Sequence, residues 1–327
     1  MKRIEISVAM CTFNGAKYLR EQLESIAVQT RLPDELIVCD DNSTDGTVEV
    51  ILNFAAHAPF PVRLEINTRN LGSTKNFERA ISFCQGEVVA LADQDDVWNE
   101  QKLETIYGSL EEYPEIGYVF SDAELIDDLS NQTGKNLWQS IGFSDSLRGE
   151  FVKATQPAIL LRRNVVTGAT MAFRSCLNSV LLPFSPYFVH DGWIAIIASC
   201  VGWPGLPICE PLIRYRQHCA QQLGVRPRSF LEKVRWARLN PTTNLSDCIL
   251  AFQDARSRLS VAEQLGHKLS ESHTRLVDEK ILHCAQRLAM HSKHGVAKVG
   301  NVVLEMLTGR YHRFSNSWQS AAKDLCF

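Results

Sequence analysis

The chain has 327 residues, of which 45% are hydrophobic and 22% charged, as in a soluble globular protein with one large α/β domain or two smaller ones. Its formal net charge of −3 excludes a generally basic, nucleic-acid-binding protein. The ten cysteines stand at least nine positions apart, which excludes C-x-x-C zinc or redox motifs and fits the reducing cytoplasm.

Short apolar runs alternate with helical patterns through the first third of the chain. The runs predict β-strands over Glu5–Cys11, Glu35–Asp40, Val62–Asn67, Val88–Ala92 and Gly117–Phe120. Apolar residues at helical spacing predict helices from Leu19 to Gln29 and over Thr47–Ala56, Ser73–Cys84 and Asn99–Glu112. This alternation predicts a parallel sheet with helices on both faces. No G-x-G or G-x-x-x-x-G-K motif occurs, which excludes a dinucleotide-type Rossmann site and a P-loop.

The fourth apolar run ends directly in Asp93, Gln94, Asp95 and Asp96. Open α/β sheets bind ligands at the carboxyl ends of their strands, and carboxylates this close raise one another's pKa. A divalent cation with oxygen ligands would offset that repulsion. The same residues also suit a solvated turn in which one Asp caps the next helix, and the stretch alone does not decide between the two.

The second half of the chain is less regular. Residues 124–155 are polar and predict a long loop over the site. The uncharged run Gly192–Cys209 is long enough to suggest a membrane-spanning helix, but Gly202 and Pro204 interrupt it. The run therefore predicts a buried helix, a turn and a short strand. From Ser229 onward the pattern is helical. Residues 1–227 carry 19 Lys and Arg against 28 Asp and Glu, whereas 228–327 carry 15 against 9, which indicates two regions with different roles.

Four stretches resemble, in order and spacing, the inverting family-2 glycosyltransferases of the GT-A fold. They are Ser7–Gly15 (SVAMCTFNG), Cys39–Gly46 (CDDNSTDG), Asn67–Gly72 (NTRNLG) and Ala92–Trp98 (ADQDDVW). The bacterial branch that includes rhamnosyltransferases is similar in Val166–Arg174 (VTGATMAFR) and in His190–Gly205, followed by Tyr215–His218. The resemblance implies a GT-A-type, mostly parallel α/β sheet sandwiched by helices over residues 1–225, with a helical C-terminal region over 226–327.

The resemblance also implies a binding site for the base of a nucleotide sugar. Asp41 matches the carboxylate that accepts a hydrogen bond from the ring N–H of uracil or thymine, which suits a group that only accepts. Thr12 and Asn14 match the loop that closes over the base. From the residues alone, Asn14 also suits a simple Asn-Gly turn, and Thr12 a strand end.

Metal binding is implied for the acidic stretch. Asp93 matches the residue that holds the ribose, and Asp95 the ligand of a Mg²⁺ or Mn²⁺ ion that neutralises the departing diphosphate. Asp96 could share the metal, but a helix cap is the favoured role. His218 could complete the metal site or contact phosphate. The family's usual His-Gly-x-Asn is replaced here by His-Cys-Ala-Gln over residues 218–221, which leaves the role of that loop open.

Asp191 matches the acidic position that serves as general base in the family. The alternative is that Asp191 is the N-cap of a helix over Gly192–Cys200, and both roles are compatible, since a helix N-terminus favours an ionised carboxylate.

The sequence thus predicts an inverting, metal-dependent glycosyltransferase of cell-surface polysaccharide synthesis. The resemblance implies a UDP- or dTDP-sugar donor, with dTDP-L-rhamnose as the leading one, and a saccharide or lipid-linked saccharide acceptor. A nucleotidyltransferase is an alternative, although Cys11–Lys17 lacks the Gly-rich basic loop of those enzymes. A non-catalytic nucleotide-sugar-binding module is a second alternative, and the intact acidic residues argue against it.

Membrane contact is predicted through the basic C-terminal region. Lys233, Arg235 and Arg238 alternate with Phe230, Val234 and Trp236, as in a basic amphipathic helix that would attach the enzyme to the inner face of the cell membrane. A solvated helix packed on the catalytic domain explains the same pattern equally well.

Overall fold

The computed structural model describes residues 3–153, 156–218, 243–293 and 295–326. Its first part alternates strands and helices as the sequence predicts. The strands are β1 (Ile6–Thr12), β2 (Glu35–Asp40), β3 (Val62–Ile66) and β4 (Val88–Asp93). The helices between them are α1 (Ala16–Ala27), α2 (Thr47–Ala55) and α3 (Ser73–Phe83). Strands β1, β2 and β4 are almost wholly buried, because helices cover both faces of a parallel sheet.

The next elements extend the sheet beyond β4. They are β5 (Val97–Trp98), α4 (Lys102–Glu112), β6 (Tyr118–Ile126), β7 (Gln132–Asn136), β8 (Met171–Arg174) and β9 (Gly205–Arg216). In the described part of the chain the strand order is β3-β2-β1-β4-β8-β6-β9-β5, with β7 paired to β6. The first four strands are parallel, as β6 and β9 are, whereas β8 runs antiparallel between β4 and β6. The sheet is therefore mixed where the sequence predicted a parallel one.

The strand order reverses at β1, which has β2 on one side and β4 on the other. Ligands of open α/β sheets bind at such a switch point, outside the carboxyl ends of the strands. The register places Thr12 opposite Asp40 and Cys11 opposite Asp93, so three of the predicted motifs end at one level of the sheet.

The prediction of a long loop over residues 124–155 is wrong. β7 folds back on β6, and α5 (Leu137–Ile141) and α6 (Asp145–Lys153) follow it. Trp138, Phe143 and Phe151 are buried against Phe120, with ring centroids 5.6 to 5.9 Å apart. These aromatic anchors stand at irregular spacing among polar residues, so no period in the sequence revealed them.

A buried helix follows, as predicted. α7 (Gln156–Arg162) and α8 (Asn178–Leu181) flank β8, and α9 (His190–Cys200) is buried at all of its positions. A turn and β9 come after it, as expected for the interrupted apolar run. No helix in the described ranges is both long enough and apolar enough to cross a bilayer.

The C-terminal region is helical, which confirms the sequence pattern. Its helices are α10 (Thr243–Gln264), α11 (Glu271–Met290), α12 (Gly295–Leu307), α13 (Arg310–Phe314) and α14 (Trp318–Cys326). Phe252, Leu259 and Val277 from α10 and α11 join the same hydrophobic cluster as the sheet. The predicted basic helix with Lys233, Arg235 and Arg238 lies outside the described residues, and the boundary at 225 stays a prediction.

Candidate active site

A glutamine fastens the acidic loop after β4 to the loop after β1. The backbone N–H of Phe13 donates to Gln94 Oε1 (2.8 Å), and Gln94 Nε2 donates to the Phe13 carbonyl (3.1 Å). A Cβ atom on Gly15 would lie 2.1 Å from Gln94 Oε1, so a larger residue at this position would have to displace the Gln94 side chain. Gln94 was not among the predicted site residues, although it lies between two that were.

Four carboxylates lie together at this point, three from the acidic loop and Asp191 from α9. Burial raises the pKa of Asp93 to about 7, and the charges of Asp95 and Asp191 add to the shift. Burial also raises the pKa of Asp96. The pKa of Tyr215 is raised by burial and then by all four carboxylates, so its ring lies beside the whole cluster. The fold thus brings Asp191 next to the acidic loop.

Lys102, at the start of α4, is a buried cation that the sequence analysis missed. Its Nζ donates to the Ala169 carbonyl (2.8 Å) and lies 3.6 Å from the centroid of the Trp98 ring. Burial lowers the pKa of Lys102 to about 7, against the charges of Asp96 and Asp93, which raise it. A lysine at a helix start is usually solvated, and nothing in the local pattern marks this one as buried.

Arg216, at the end of β9, holds the backbone of the acidic loop. Its Nε donates to the Asp95 carbonyl (2.7 Å), and its Nη2 donates to Glu21 Oε2 (2.6 Å). Its backbone N–H donates to Asp96 Oδ1 (3.0 Å), while Asp96 Oδ2 is buried without a hydrogen-bond partner in the described structure. The favoured role of Asp96 as a helix cap is therefore wrong, and the N-cap of α4 is Gln101.

Asp95 and His218 are in direct contact. His218 Nε2 lies 2.7 Å from Asp95 Oδ2, and both side chains are largely buried. No group of three or more His, Cys, Asp or Glu side chains is arranged to hold a metal within the described ranges. A carboxylate and an imidazole fit a Mn²⁺ ion that takes its other ligands from phosphate and water, and Mg²⁺ is also commonly held by one or two carboxylates with substrate phosphates.

Asp191 lies in the first turn of α9, inside the helix. The alternative that it is the N-cap is wrong, because Val189 holds that position. Asn164 Nδ2 donates to Asp191 Oδ1 (2.9 Å), as does the backbone N–H of Gly192, and the Gly168 N–H donates to Oδ2 (2.9 Å). These donors fix the orientation of the carboxylate at the positive end of the helix dipole. Oδ2 keeps a lone pair for a further donor.

His190 packs behind Asp191. Its ring stacks on Phe77 with centroids 4.0 Å apart, and both ring nitrogens are buried without partners among the described residues. Burial lowers the pKa of His190, while the charge of Asp191 raises it. A Cβ atom on Gly168 would lie 2.5 Å from His190 Nε2, so this glycine allows the close approach that also places its N–H on Asp191.

Asp41 lies after β2, buried beneath the loop that carries the third motif. Its Oδ1 accepts from Asn67 Nδ2 (2.8 Å) and from the Leu71 N–H (2.7 Å), and its Oδ2 accepts from the Gly72 N–H (2.9 Å). Asp41 therefore joins the second motif to the third.

The first motif joins the second through two other predicted residues. The Thr12 hydroxyl donates to Asp40 Oδ1 (2.8 Å) at the end of β1. Asn14 has a left-handed backbone (φ 48°), and its Oδ1 accepts from the Thr44 N–H (2.8 Å). The loop that was predicted to cover a base is thus built as a tight turn with its side-chain oxygen engaged by the protein.

Comparison with known families matches residues 7–163 to Glycosyl transferase family 2. An uncharacterized Mycobacterium tuberculosis protein is 34% identical over 123 residues, which cover 37% of this chain and 36% of that one. The similarity therefore spans about a third of the length of the first relatives matched.

Two relatives whose names state an activity match over longer stretches. The dTDP-rhamnosyl transferase RfbG of Shigella flexneri is 25% identical over 248 residues, 72% of this chain and 79% of the relative. The UDP-Glc:alpha-D-GlcNAc-diphosphoundecaprenol beta-1,3-glucosyltransferase WfgD of Escherichia coli is 26% identical over 199 residues, 59% and 69% of the two chains.

Solved structures share the fold. S. aureus TarS 1–349 in complex with UDP-GlcNAc superposes with a TM-score of 0.61 at 16% identity, over 99% of this chain and 89% of the TarS 1–349 fragment. The mannosyltransferase PcManGT of Pyrobaculum calidifontis, in complex with GDP-Man and Mn²⁺, gives a TM-score of 0.54 at 18% identity over 99% and 86%. The mixed sheet between helices is thus the GT-A architecture that the sequence predicted.

Proposed function

This chain belongs to glycosyl transferase family 2, and on that premise we propose that it transfers a sugar, with inversion, from a nucleotide-diphosphate donor to a saccharide or lipid-linked saccharide. The observation that carries the proposal is the position of Asp191. Helix α9 brings this side chain beside Asp93 and Asp95, and three hydrogen-bond donors hold it there. One end of the site can then serve the donor and the other the acceptor.

The donor side is assigned to the first four motifs. Asp41, Thr12 and Asn14 shape the loops in which the pyrimidine ring would lie, and Asp93 at the end of β4 would hold the ribose. The hydrogen bonds of Asp41 and Asn14 to backbone N–H groups keep those loops in place before the donor binds. Preformed loops reduce the entropy lost on binding.

Asp95 and His218 would hold a Mg²⁺ or Mn²⁺ ion. Such an ion would supply a positive charge that stabilises the departing diphosphate. The contact of 2.7 Å between the two side chains supports a shared role, and PcManGT with its bound Mn²⁺ is a protein of the same fold. Arg216, bound to the Asp95 carbonyl, would fix the position of this ligand.

On the acceptor side, Asp191 would be the general base. An inverting transfer needs a hydroxyl that attacks the anomeric carbon from the face opposite the diphosphate. As the new C–O bond forms, the C–O bond to the diphosphate breaks, and the hydroxyl proton passes to Asp191 Oδ2. The Asn164 and Gly168 donors keep the carboxylate oriented, and a positioned base of this kind contributes about 10²–10⁴-fold.

The relatives support a choice of substrates. RfbG is named for a dTDP-rhamnosyl donor, and we take dTDP-L-rhamnose as the leading donor. WfgD is named for an acceptor on diphosphoundecaprenol, which supports a lipid-linked saccharide in cell-surface polysaccharide synthesis. An enzyme with such an acceptor would work at the inner face of the cell membrane, with a catalytic domain over residues 1–225 and the helical region over 226–327.

The test is a panel of nucleotide sugars, assayed with Mn²⁺ and a saccharide acceptor. The proposal expects release of a nucleoside diphosphate together with a glycosylated acceptor. A parallel reaction supplies a nucleoside triphosphate and a sugar phosphate, and release of pyrophosphate there would instead identify a nucleotidyltransferase. Donor binding without any turnover across the panel would favour the non-catalytic module.

A further inference from the structure

Helix α12 exposes its apolar face to solvent instead of burying it. It buries its one acidic residue, Glu305 (3% exposed), and leaves most of its apolar residues in contact with solvent. The five most exposed apolar residues are Val296 (89%), Val299 (50%), Val303 (48%), Leu304 (63%) and Leu307 (79%). We call these five residues the α12 stripe.

The α12 stripe is continuous along the helix. Val296, Val299, Val303 and Leu307 recur at i, i+3, i+7 and i+11, which places them on one face of a 3.6-residue helix. Single exposed apolar residues are common on proteins, but contiguous ones mark a site of interaction. The stripe is therefore a surface that a partner would cover.

The opposite face of α12 packs against the rest of the protein. Glu305 Oε1 lies 2.7 Å from His283 Nδ1 of α11, and Glu305 Oε2 pairs with Arg310 Nη1 at 3.3 Å. Val302 is fully buried in a small cluster with Tyr311. Because this face is fixed by an internal ion pair, the helix does not turn its apolar stripe inward.

The segment that carries the stripe has more basic than acidic residues. In the described residues after Met290, both acids are buried and paired, Glu305 as above and Asp324 with Arg287 (2.6 Å). Every lysine and arginine of the same segment is at least partly exposed, namely Lys293, Lys298, Arg310, Arg313 and Lys323. Arg310 pairs with Glu305, and Arg313 with Glu279 of α11 (2.6 Å). A partner that met this surface would therefore meet apolar side chains on a segment of net positive charge.

We propose that the α12 stripe docks on the surface of an anionic membrane. Aliphatic side chains enter the boundary of headgroups and acyl chains, and flanking Lys and Arg bind anionic headgroups. Trp318, 66% exposed on α14, which packs against α12, adds a residue that favours membrane interfaces. A second copy of the chain is a poorer partner, since a two-fold interface would bring like charges together.

This inference rests on the proposed function only for its biological reason, which is access to a lipid-linked acceptor. It differs from the predicted role of residues 230–238, because α12 supplies its own apolar face and its own charge. A membrane-docked α12 would hold the catalytic domain near the bilayer without any spanning segment.

The test is co-sedimentation of the full chain with phosphatidylcholine vesicles, with and without phosphatidylglycerol. The double variant Val303→Gln/Leu307→Gln removes two apolar side chains that already face solvent, so the fold has little to lose. The matched control is Leu52→Gln on α2, an equally exposed apolar site (55%) outside the stripe. We expect wild type and Leu52→Gln to bind vesicles with phosphatidylglycerol, and the double variant to bind at least about tenfold more weakly.

Added salt should weaken wild-type binding, because the headgroup attraction is screened. Equal vesicle binding by wild type and the double variant would overturn the proposal, and so would binding that ignores phosphatidylglycerol. A concentration-dependent dimer that the double variant abolishes, without vesicle binding, would assign the stripe to a second copy instead. Sugar transfer to a water-soluble acceptor should be the same in all three proteins, which separates this inference from the proposed activity.

Discussion

The acidic site and the C-terminal helices both bury charge, but they balance it differently. In the helices, Asp324 meets Arg287 through two hydrogen bonds (2.6 and 2.9 Å), and Glu305 meets His283 and Arg310. In the site, Lys102 is buried beside Asp93 and Asp96, His218 contacts Asp95, and Asp96 Oδ2 has no partner in the described structure.

This difference between the two regions predicts which substitutions affect stability and which affect function. Removing one partner of a buried ion pair leaves an uncompensated charge and destabilises the fold. Carboxylates that are buried close together instead raise one another's pKa values and attract a cation. We therefore expect changes in the acidic site to affect turnover first, and changes in the C-terminal pairs to affect folding first. The predictions below test that division.

The largest effect should follow from Asp95→Asn. The amide keeps the shape but removes the charge that would hold the divalent ion with His218, so turnover should fall by orders of magnitude, at least about 10³-fold, while the fold survives. Excess EDTA should have the same effect on the wild type. Sugar transfer and thermal unfolding are measured together, with Asp247→Asn, an exposed acid on α10, as the control. Full activity of Asp95→Asn would mean that turnover does not need a metal ion held by Asp95.

The reverse pattern is expected for Asp324→Asn. The change leaves Arg287 buried without its charge partner, so unfolding free energy should fall by about 3–5 kcal/mol. Arg275→Gln breaks a pair whose arginine is 81% exposed and should cost less than about 1 kcal/mol. Turnover per folded molecule should change little in either variant. Denaturant titration gives the energies, and equal losses in the two variants would contradict the distinction between buried and exposed pairs.

A smaller, pH-dependent effect should come from Lys102→Met. The unfolded chain keeps the Lys102 proton up to about pH 10.5, whereas the folded protein releases it near pH 7. Between these values the unfolded state binds more protons, so Lys102 makes the unfolding free energy rise with pH, by up to about 1.4 kcal/mol per pH unit.

Methionine has no proton to exchange and keeps the apolar stem. The difference in unfolding free energy between wild type and Lys102→Met should therefore change steadily from pH 7 to 10. A difference that is constant across this range would mean that Lys102 is not titrating near neutral pH.

The sequence predicted the parts of the site whose residues are close together in the chain. β1 to β4 and the buried α9 follow from apolar runs and turn residues, which are local signals, whereas the four motifs were assigned by their resemblance to a family. Lys102 and Arg216 escaped notice because charged residues are expected at the surface, and their burial depends on contacts with Ala169 and Asp95, far away in the chain. Asp96 was misassigned for the same reason, since its partner stands at the end of β9.

α12 shows a different limit. Its periodicity predicts an amphipathic helix, but a period does not say which face the protein covers. Glu305 and its partners on α11 and α13 decide that, and they turn the apolar residues outward. The face of a helix is thus settled by tertiary ion pairs that no single stretch contains.

The most direct test of the account is Asp191→Asn, measured for sugar transfer and for donor binding in one preparation. The amide keeps the size of the side chain, but it cannot take the proton from the acceptor hydroxyl. We expect transfer to fall by about 10²–10⁴-fold, while affinity for the nucleoside diphosphate with Mn²⁺ stays nearly unchanged, because Asp191 serves the acceptor side only. Transfer at the wild-type rate, or a loss of donor binding in step with the loss of transfer, would contradict this division of the site.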